Sequence, residues 1–112
     1  MGPVVEGSGP EEEIRVVDNR EGERYELWVG GDRAGLATYH RYGSRVAILH
    51  TEVEEAFEGR GLGGRLAGEV LADIRGEGGT VTAICPFIAD YLVRHPEEQD
   101  VVDPEFPGFR PG

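Results

Sequence analysis

The first half of the chain alternates apolar and polar side chains with the period of two that is typical of strands. Residues 23–29 show this most clearly, with three apolar side chains on one side: Tyr25, Leu27 and Val29. Comparable segments, separated by glycine-containing turns, predict further strands at residues 13–17, 34–41 and 45–50. The first half is therefore predicted to be an antiparallel meander.

The period changes after Gly61. Apolar residues recur at every fourth position from Leu62 to Ile74, which predicts a helix that the glycines at 76, 78 and 79 end. An apolar, β-branched segment at 80–84 predicts a buried strand, and a second helix is expected to begin at Pro86 and to stop before Pro96.

This order of elements sets the fold class. A strand, a helix and a strand in sequence imply a right-handed crossover and a parallel pair of strands. Residues 99–102 are a candidate for a final short strand. The prediction is an α/β (α+β) fold, in which an antiparallel meander leads into a β-loop-α-β crossover and a short C-terminal helix.

The length of 112 residues predicts one domain with one modest core. Residues 1–12 are rich in Gly, Pro and Glu and are expected to form a disordered N-terminal tail, and residues 103–112 a Pro/Gly-rich C-terminal tail that is disordered or loosely packed. The folded domain is therefore predicted to span residues 13–102.

The net charge of −11 argues against a nucleic-acid partner, because phosphate binding needs a basic surface. An acidic field attracts cationic substrates such as amines, and it also serves solubility alone; the composition leaves both interpretations open. The single cysteine fits a reducing compartment. No apolar run approaches the ~20 residues that span a bilayer, so the chain is expected to be soluble and cytoplasmic, with no membrane partner.

Four glycines, at 59, 61, 63 and 64, lie between the strand at 45–50 and the first helix. Backbone N–H groups at the start of a helix are unpaired donors at its positive end, so the loop is a candidate anion site. Gly59, Gly61 and Gly64 also match the dinucleotide-binding pattern G-x-G-x-x-G, but no acidic residue stands about 20 positions later. A P-loop is excluded, because no Gly-Lys-Ser/Thr follows. A turn without a ligand is the remaining alternative.

Three blocks in fixed order carry a family resemblance: HTEV at 50–53, GRGLGGRL at 59–66 and ICPF…RHPE between 84 and 97. Together they resemble the small Gcn5-related N-acetyltransferase-like family, over roughly residues 14–102. The resemblance implies that the loop amides hold the pyrophosphate of acetyl-coenzyme A (acetyl-CoA). In the family's loop pattern Gly61 and Gly63 match, whereas Glu58 stands where Gln or Arg is usual. The predicted cofactor-binding residues are Glu58, Gly59, Arg60, Gly61, Leu62, Gly63, Gly64 and Arg65.

Cys85 and His50 are the candidate catalytic residues. Cys85 is expected near the N-cap of the second helix, where the helix dipole favours a thiolate, and the resemblance places it beside the thioester end of the cofactor. His50 ends the strand that leads into the loop, and a neutral imidazole there accepts a proton from an ammonium nucleophile. An inert buried Cys85 and a purely structural His50 are the alternatives. Tyr91 is one position away from the tyrosine that larger acetyltransferases use as a general acid, so a packing role is expected for it.

The predicted function is N-acetyl transfer from acetyl-CoA to a small-molecule or peptide amine. The alternative is a module that binds CoA or acyl-CoA without turnover. Two routes are open, in which the amine attacks the thioester directly or Cys85 first accepts the acetyl group. The histidines and the cysteine lack the spacing of metal ligands, so no metal is predicted.

Overall fold

The alternating segments of the first half form the predicted antiparallel meander. The computed structural model describes residues 13–109, so the predicted N-terminal tail and residues 110–112 lie outside the described part of the chain. A sheet has five strands in sequential order: β1 (Ile14–Asn19), β2 (Arg24–Val29), β3 (Asp32–Tyr42), β4 (Arg45–Val53) and β5 (Thr80–Ala83). The pairs β1–β2, β2–β3 and β3–β4 are antiparallel, and β4–β5 is parallel. The predicted fold class is confirmed.

The helical stripe of the sequence packs on this sheet. Helix α1 (Leu62–Gly76) buries the residues of the fourfold spacing together with two adjacent ones: Leu62, Leu66, Val70 and Ile74, with Ala67 and Leu71. Helix α2 (Pro86–Arg94) follows β5 and begins at Pro86 as predicted, and 3-10 segments of one and two turns cover Glu55–Phe57 and Pro96–Val101. No helix among the described residues has the length and apolar character needed to cross a membrane.

The C-terminal end of the described chain lies along β5. The predicted strand at residues 99–102 is wrong for most of its length, because Gln99 to Val101 end the second 3-10 segment and Val102 alone forms a parallel bridge, to Val81. Further on, Ala83 N–H donates to Pro107 O at 2.9 Å, and Gly108 bridges Ala83. Gly108 has φ +92°, and a Cβ there would lie 2.3 Å from Ala83 O, so a side chain does not fit. Residues 103–109 of the predicted tail therefore pack on the domain.

A bulge in β4 determines which side chains face the core beyond it. The register pairs Tyr39 with Ile48 but Thr38 with His50, so Leu49 is the extra residue. Val46 and Ile48 are fully buried before the bulge. Beyond Leu49 the alternation is reversed, and the odd-numbered residues of β4 turn towards the core side.

The two parallel strands separate at the same level. The last register pair is Ile48 with Ala83, and β4 continues to Val53 after β5 has ended. Both Ile84 N–H and Cys85 N–H donate to Ile48 O, at 3.0 and 2.9 Å. A gap therefore opens between β4 and the start of α2, directly beside the loop that leads into α1.

Candidate functional site

The glycine loop turns sharply into α1 without a side-chain cap. Gly59 and Gly61 have φ of 81° and 73°, the left-handed region that glycine adopts without strain. Gly61 is the N-cap of α1, and within residues 13–109 no side chain caps the first turn. Serine, threonine or aspartate normally fills this position and satisfies such donors. Here glycine provides the backbone geometry of the turn but no side chain that could accept hydrogen bonds from the first N–H groups of the helix.

The first N–H groups of α1 are available to a ligand. Within residues 13–109, the backbone N–H groups of Leu62, Gly63 and Gly64 have no hydrogen-bond acceptor, and Arg65 N–H is the first to bond, to Gly61 O at 3.2 Å. No acidic residue occupies the first turn of the helix. Three amides at the positive end of a helix, with no acceptor among the described residues, form a candidate anion-binding site.

A cavity of about 480 Å³ lies over these amides. It is lined by the loop and the start of α1 on one side and by α2 on the other: Val53, Phe57, Glu58, Gly59, Gly61, Leu62, Gly63, Gly64, Phe87, Tyr91, Arg94 and His95. Gly63 and Phe87 are in close contact across it, since a Cβ at Gly63 would lie 2.9 Å from Phe87 Cζ. The cavity has room for part of an extended ligand beside the amides.

Six of the eight predicted cofactor residues line this cavity. Of the other two, Arg65 lines an adjoining groove between α1 and α2 and pairs with Glu69 at 2.9 Å, and Arg60 stacks its guanidinium 5.6 Å from the centre of the Phe57 ring. The Glu58 carboxylate, exposed to solvent, lies at the cavity rim. The loop thus presents one acidic side chain near the anion site, as its departure from the family pattern suggested.

The side of the cavity that α2 forms was not predicted from the sequence. Phe87, Tyr91, Arg94 and His95 stand at positions i, i+4, i+7 and i+8, which is one face of a helix, and this spacing was the available signal. Tyr91 does pack as predicted, with its ring stacked on His95 at 3.9 Å between centroids. Burial raises the pKa of the Tyr91 phenol, and the nearby carboxylates of Glu98 and Glu97 raise it further.

Cys85 lies at the N-cap of α2, as predicted, and is 3% exposed. Its S–H donates to Thr51 Oγ1 at 3.4 Å across the gap between α2 and β4. The residues two positions further along each chain segment, Val53 and Phe87, line the cavity. Cys85 is therefore adjacent to the cavity and is shielded from solvent.

His50 lies on the other side of β4. Its imidazole Nε2 is 3.1 Å from Glu52 Oε2, and both side chains are exposed. Thr51, the next residue, points to Cys85, and successive strand residues face opposite sides. The structure does not bring His50 and Cys85 together, because the bulge at Leu49 turns His50 away from the core side that Val46 and Ile48 occupy.

Comparisons with known proteins agree on one family. A family model described as GCN5-related N-acetyl-transferase matches residues 24–101. The protein NATD1 of Xenopus tropicalis is 30% identical over 98 residues, which cover 86% of this chain and 90% of that protein. A GCN5-like protein from Staphylococcus aureus, solved by NMR, aligns with a TM-score of 0.59 and 25% identity, over 80% of this chain and 85% of that one.

A second solved structure is more distant. It is an acetyltransferase of Bacillus subtilis in complex with CoA, with 22% identity and a TM-score of 0.49. The alignment covers 59% of this chain and 45% of that one, so this chain spans less than half the length of that protein.

Proposed function

The chain belongs to the GCN5-related N-acetyltransferase family, and from this premise we propose that it transfers the acetyl group of acetyl-CoA to an amine. The proposal is carried by the amides of Leu62, Gly63 and Gly64, which have no acceptor within the described part of the chain and lie beneath a cavity of about 480 Å³. A pyrophosphate fits this combination of helix end, close backbone and space.

The residues around the loop suit this cofactor. Gly64 lines the cavity, and a Cβ built there would meet no atom within 4 Å, so the site is open where a phosphate must approach the backbone. Leu62, Gly63 and Gly64 would hold the pyrophosphate, while Val53 and Phe87 would flank the part of the ligand that extends towards Cys85. When bound, acetyl-CoA supplies the acetyl group as a reactive thioester.

The positions of Cys85 and His50 support different roles for them. Cys85, on the core side of β4, would hold the thioester end of the cofactor. His50, on the outer side, would accept the proton that an ammonium group must lose before it can attack. The Glu52 carboxylate 3.1 Å from Nε2 favours the tautomer that is protonated at Nε2, which leaves the Nδ1 lone pair as the acceptor. We therefore favour direct attack by an amine that loses its proton at the outer face and reaches the thioester through the gap between β4 and the start of α2.

The charge around His50 suggests the kind of acceptor. Glu52, Glu54 and Glu55 are exposed beside it, and the whole chain carries −11. A cationic amine, free or in a peptide, would be attracted to this surface, and salt would weaken the attraction over ~8–10 Å.

Cofactor binding tests the proposal with a matched pair of variants. Acetyl-CoA at 100 times its dissociation constant should stabilise the wild-type chain by ~2.7 kcal/mol. Gly64→Leu should remove that gain, because the side chain grows into the cavity. Gly76→Leu, at the other end of α1 and equally open around its Cβ, should keep it.

The outcomes separate the transferase from a binding module. Stabilisation together with acetylation of an amine supports the proposal. Stabilisation without acetylation of any amine, in a series of cationic and neutral acceptors, supports a module that binds CoA without turnover. If saturating acetyl-CoA leaves the unfolding of the wild-type chain unchanged, both functions are excluded.

A further inference from the structure

Cys85 is hydrogen-bonded to β4 at two points, once through its backbone and once through its sulfur. Cys85 N–H donates to Ile48 O at 2.9 Å, and the S–H donates to Thr51 Oγ1 at 3.4 Å. The two acceptors lie on opposite sides of the bulge at Leu49, so they fix both the backbone and the side chain of Cys85 to one strand. The thiol direction is therefore set by β4 and not by α2, which carries the residue.

The bulge at Leu49 places Thr51 for this contact and turns His50 away from the core side. In an unbroken alternation with Val46 and Ile48, position 50 would face the core side and position 51 would face outwards. The extra residue Leu49 exchanges them. Thr51 is half-buried, and its hydroxyl has no other hydrogen-bond partner among the described residues.

A hydroxyl can remain hydrogen-bonded to a sulfur before and after the sulfur loses its proton in a reaction. It accepts a hydrogen bond from the S–H group, and after a rotation of its own O–H bond it donates one to a thiolate. A buried thiolate without a donor carries the full cost of its desolvation. We propose that Thr51 is a positioning residue, whose hydroxyl aims the Cys85 sulfur and stays hydrogen-bonded to it while the sulfur reacts and its proton leaves. The inference rests on the proposed function only in its placement of Cys85 beside the thioester.

Alkylation by iodoacetamide tests the role without cofactor or acceptor. The sulfur attacks the methylene carbon, an S–C bond forms, iodide leaves, and the thiol proton passes to solvent. At one fixed pH near neutrality, Thr51→Val should slow this reaction about tenfold, the worth of one hydrogen bond to a charged group. Thr51→Ser keeps the hydroxyl and loses the methyl group, so its rate should stay within about twofold of wild type, because the hydrogen bond remains.

The control is Thr38→Val, the same substitution on the neighbouring strand, at the register partner of His50. Its alkylation rate should equal that of wild type. Thermal unfolding of every variant shows that the rates belong to folded protein. A Thr51→Val rate equal to or faster than wild type would overturn the proposal, as would a Thr51→Ser rate as slow as that of Thr51→Val. A wild-type Cys85 that reacts only after unfolding would overturn it too, since a positioned sulfur must be within reach of a small electrophile.

A failure here is distinct from a failure of the proposed function. Alkylation reports on Cys85 and Thr51 alone, whereas the proposed function is tested by stabilisation with acetyl-CoA and by acetylation of amines. A chain that binds acetyl-CoA and acetylates an amine, but shows no effect of Thr51→Val on alkylation, retains its proposed function and loses only the role of Thr51.

Discussion

The two ends of α1 treat their polar groups in opposite ways. At the C-terminal end, Asp73 accepts a hydrogen bond from Tyr25 OH at 2.7 Å, and Glu77 pairs with Arg20 and Arg41 at 2.5 and 3.4 Å. At the N-terminal end, Gly61 provides no cap, and the first amides have no protein acceptor within residues 13–109. The carboxylates at the C-terminal end are paired within the protein, whereas the amides at the N-terminal end are available to a ligand.

This contrast distinguishes a structural cluster from a candidate site. Asp18, Asp73 and Glu77 each place a carboxylate oxygen within 4.8 Å of the others, a geometry that resembles a cation site. Asp18, however, already accepts hydrogen bonds from Tyr39 OH at 2.5 Å and from Arg41 at 3.1 Å. The acids are balanced by arginine and tyrosine, so the network ties the end of α1 to β1, β2 and β3. Polar residues gathered together indicate a ligand only when their bonding capacity is left unused.

The largest expected effect comes from disrupting the hydrogen-bond network at the C-terminal end of α1. Asp18→Ala removes three partners at once and leaves Arg41, 21% exposed, without its main carboxylate. We expect a loss of about 3 kcal/mol in the free energy of unfolding, measured with urea. Affinity for acetyl-CoA, measured by calorimetry, should stay the same, because the network lies at the other end of the helix.

A control with the same change of charge is Asp100→Ala. Asp100 pairs with Arg75 at 2.8 Å, but it is exposed, and Arg75 keeps Glu98 as a second partner. Asp100→Ala should lower the free energy of unfolding far less than Asp18→Ala does, because an exposed ion pair contributes little. A cofactor affinity that falls with Asp18→Ala would contradict the division of α1 into a structural end and a binding end.

The same contrast explains how far the sequence could be interpreted. Local periodicity predicted the strands, the buried stripe of α1 and the glycine loop, because those features depend on neighbours a few residues apart. The network at the end of α1 was not predicted, since it joins residues such as Tyr25 and Asp73 that are 48 positions apart. The periodicity of the sequence does not reveal pairs of residues that are so far apart along the chain.

The candidate site was predicted in part for a similar reason. The loop residues and the N-cap position of Cys85 follow from local sequence. The relation between His50 and Cys85 depends on Leu49, an extra residue in β4 that nothing in the alternation of RVAILH indicates. One inserted residue reverses every side chain after it, so the face of a catalytic candidate beyond a bulge needs the register of the neighbouring strand.

A smaller effect is expected at the N-terminal end of α1, where acetyl-CoA is proposed to bind. Glu58 places a carboxylate at the rim of the cavity, where it would repel a pyrophosphate. Glu58→Gln should tighten acetyl-CoA binding about fivefold at low salt, equivalent to ~1 kcal/mol, and the gain should shrink at ~1 M salt, where the screening length is ~3 Å. Calorimetric titration at two salt concentrations measures both.

Glu21→Gln is the matched control, because it removes the same charge from the exposed turn after β1. Its effect on the dissociation constant should be small at either salt concentration. An affinity that is unchanged or weaker in Glu58→Gln would mean that the carboxylate points away from the bound phosphates.

The smallest effect is expected from the loss of one tyrosine hydroxyl. Tyr25 lies near the C-terminal end of α1, and Tyr91 lies near its N-terminal end. Burial raises the pKa of Tyr25, and its hydrogen bond to Asp73 raises it further. A folded pKa above the unfolded value of ~10 means that the stabilisation is complete below pH ~10 and is lost as pH rises above it. Tyr25→Phe should lower the free energy of unfolding by roughly 0.5–1 kcal/mol near neutral pH. As pH rises above ~10, that free energy should fall less in the variant than in wild type.

Tyr91 donates no hydrogen bond within the described residues, so Tyr91→Phe should leave the free energy of unfolding almost unchanged near neutral pH. Urea unfolding between about pH 7 and 11.5 checks both variants, and equal costs at neutral pH would show that the Asp73 bond does not distinguish the two ends.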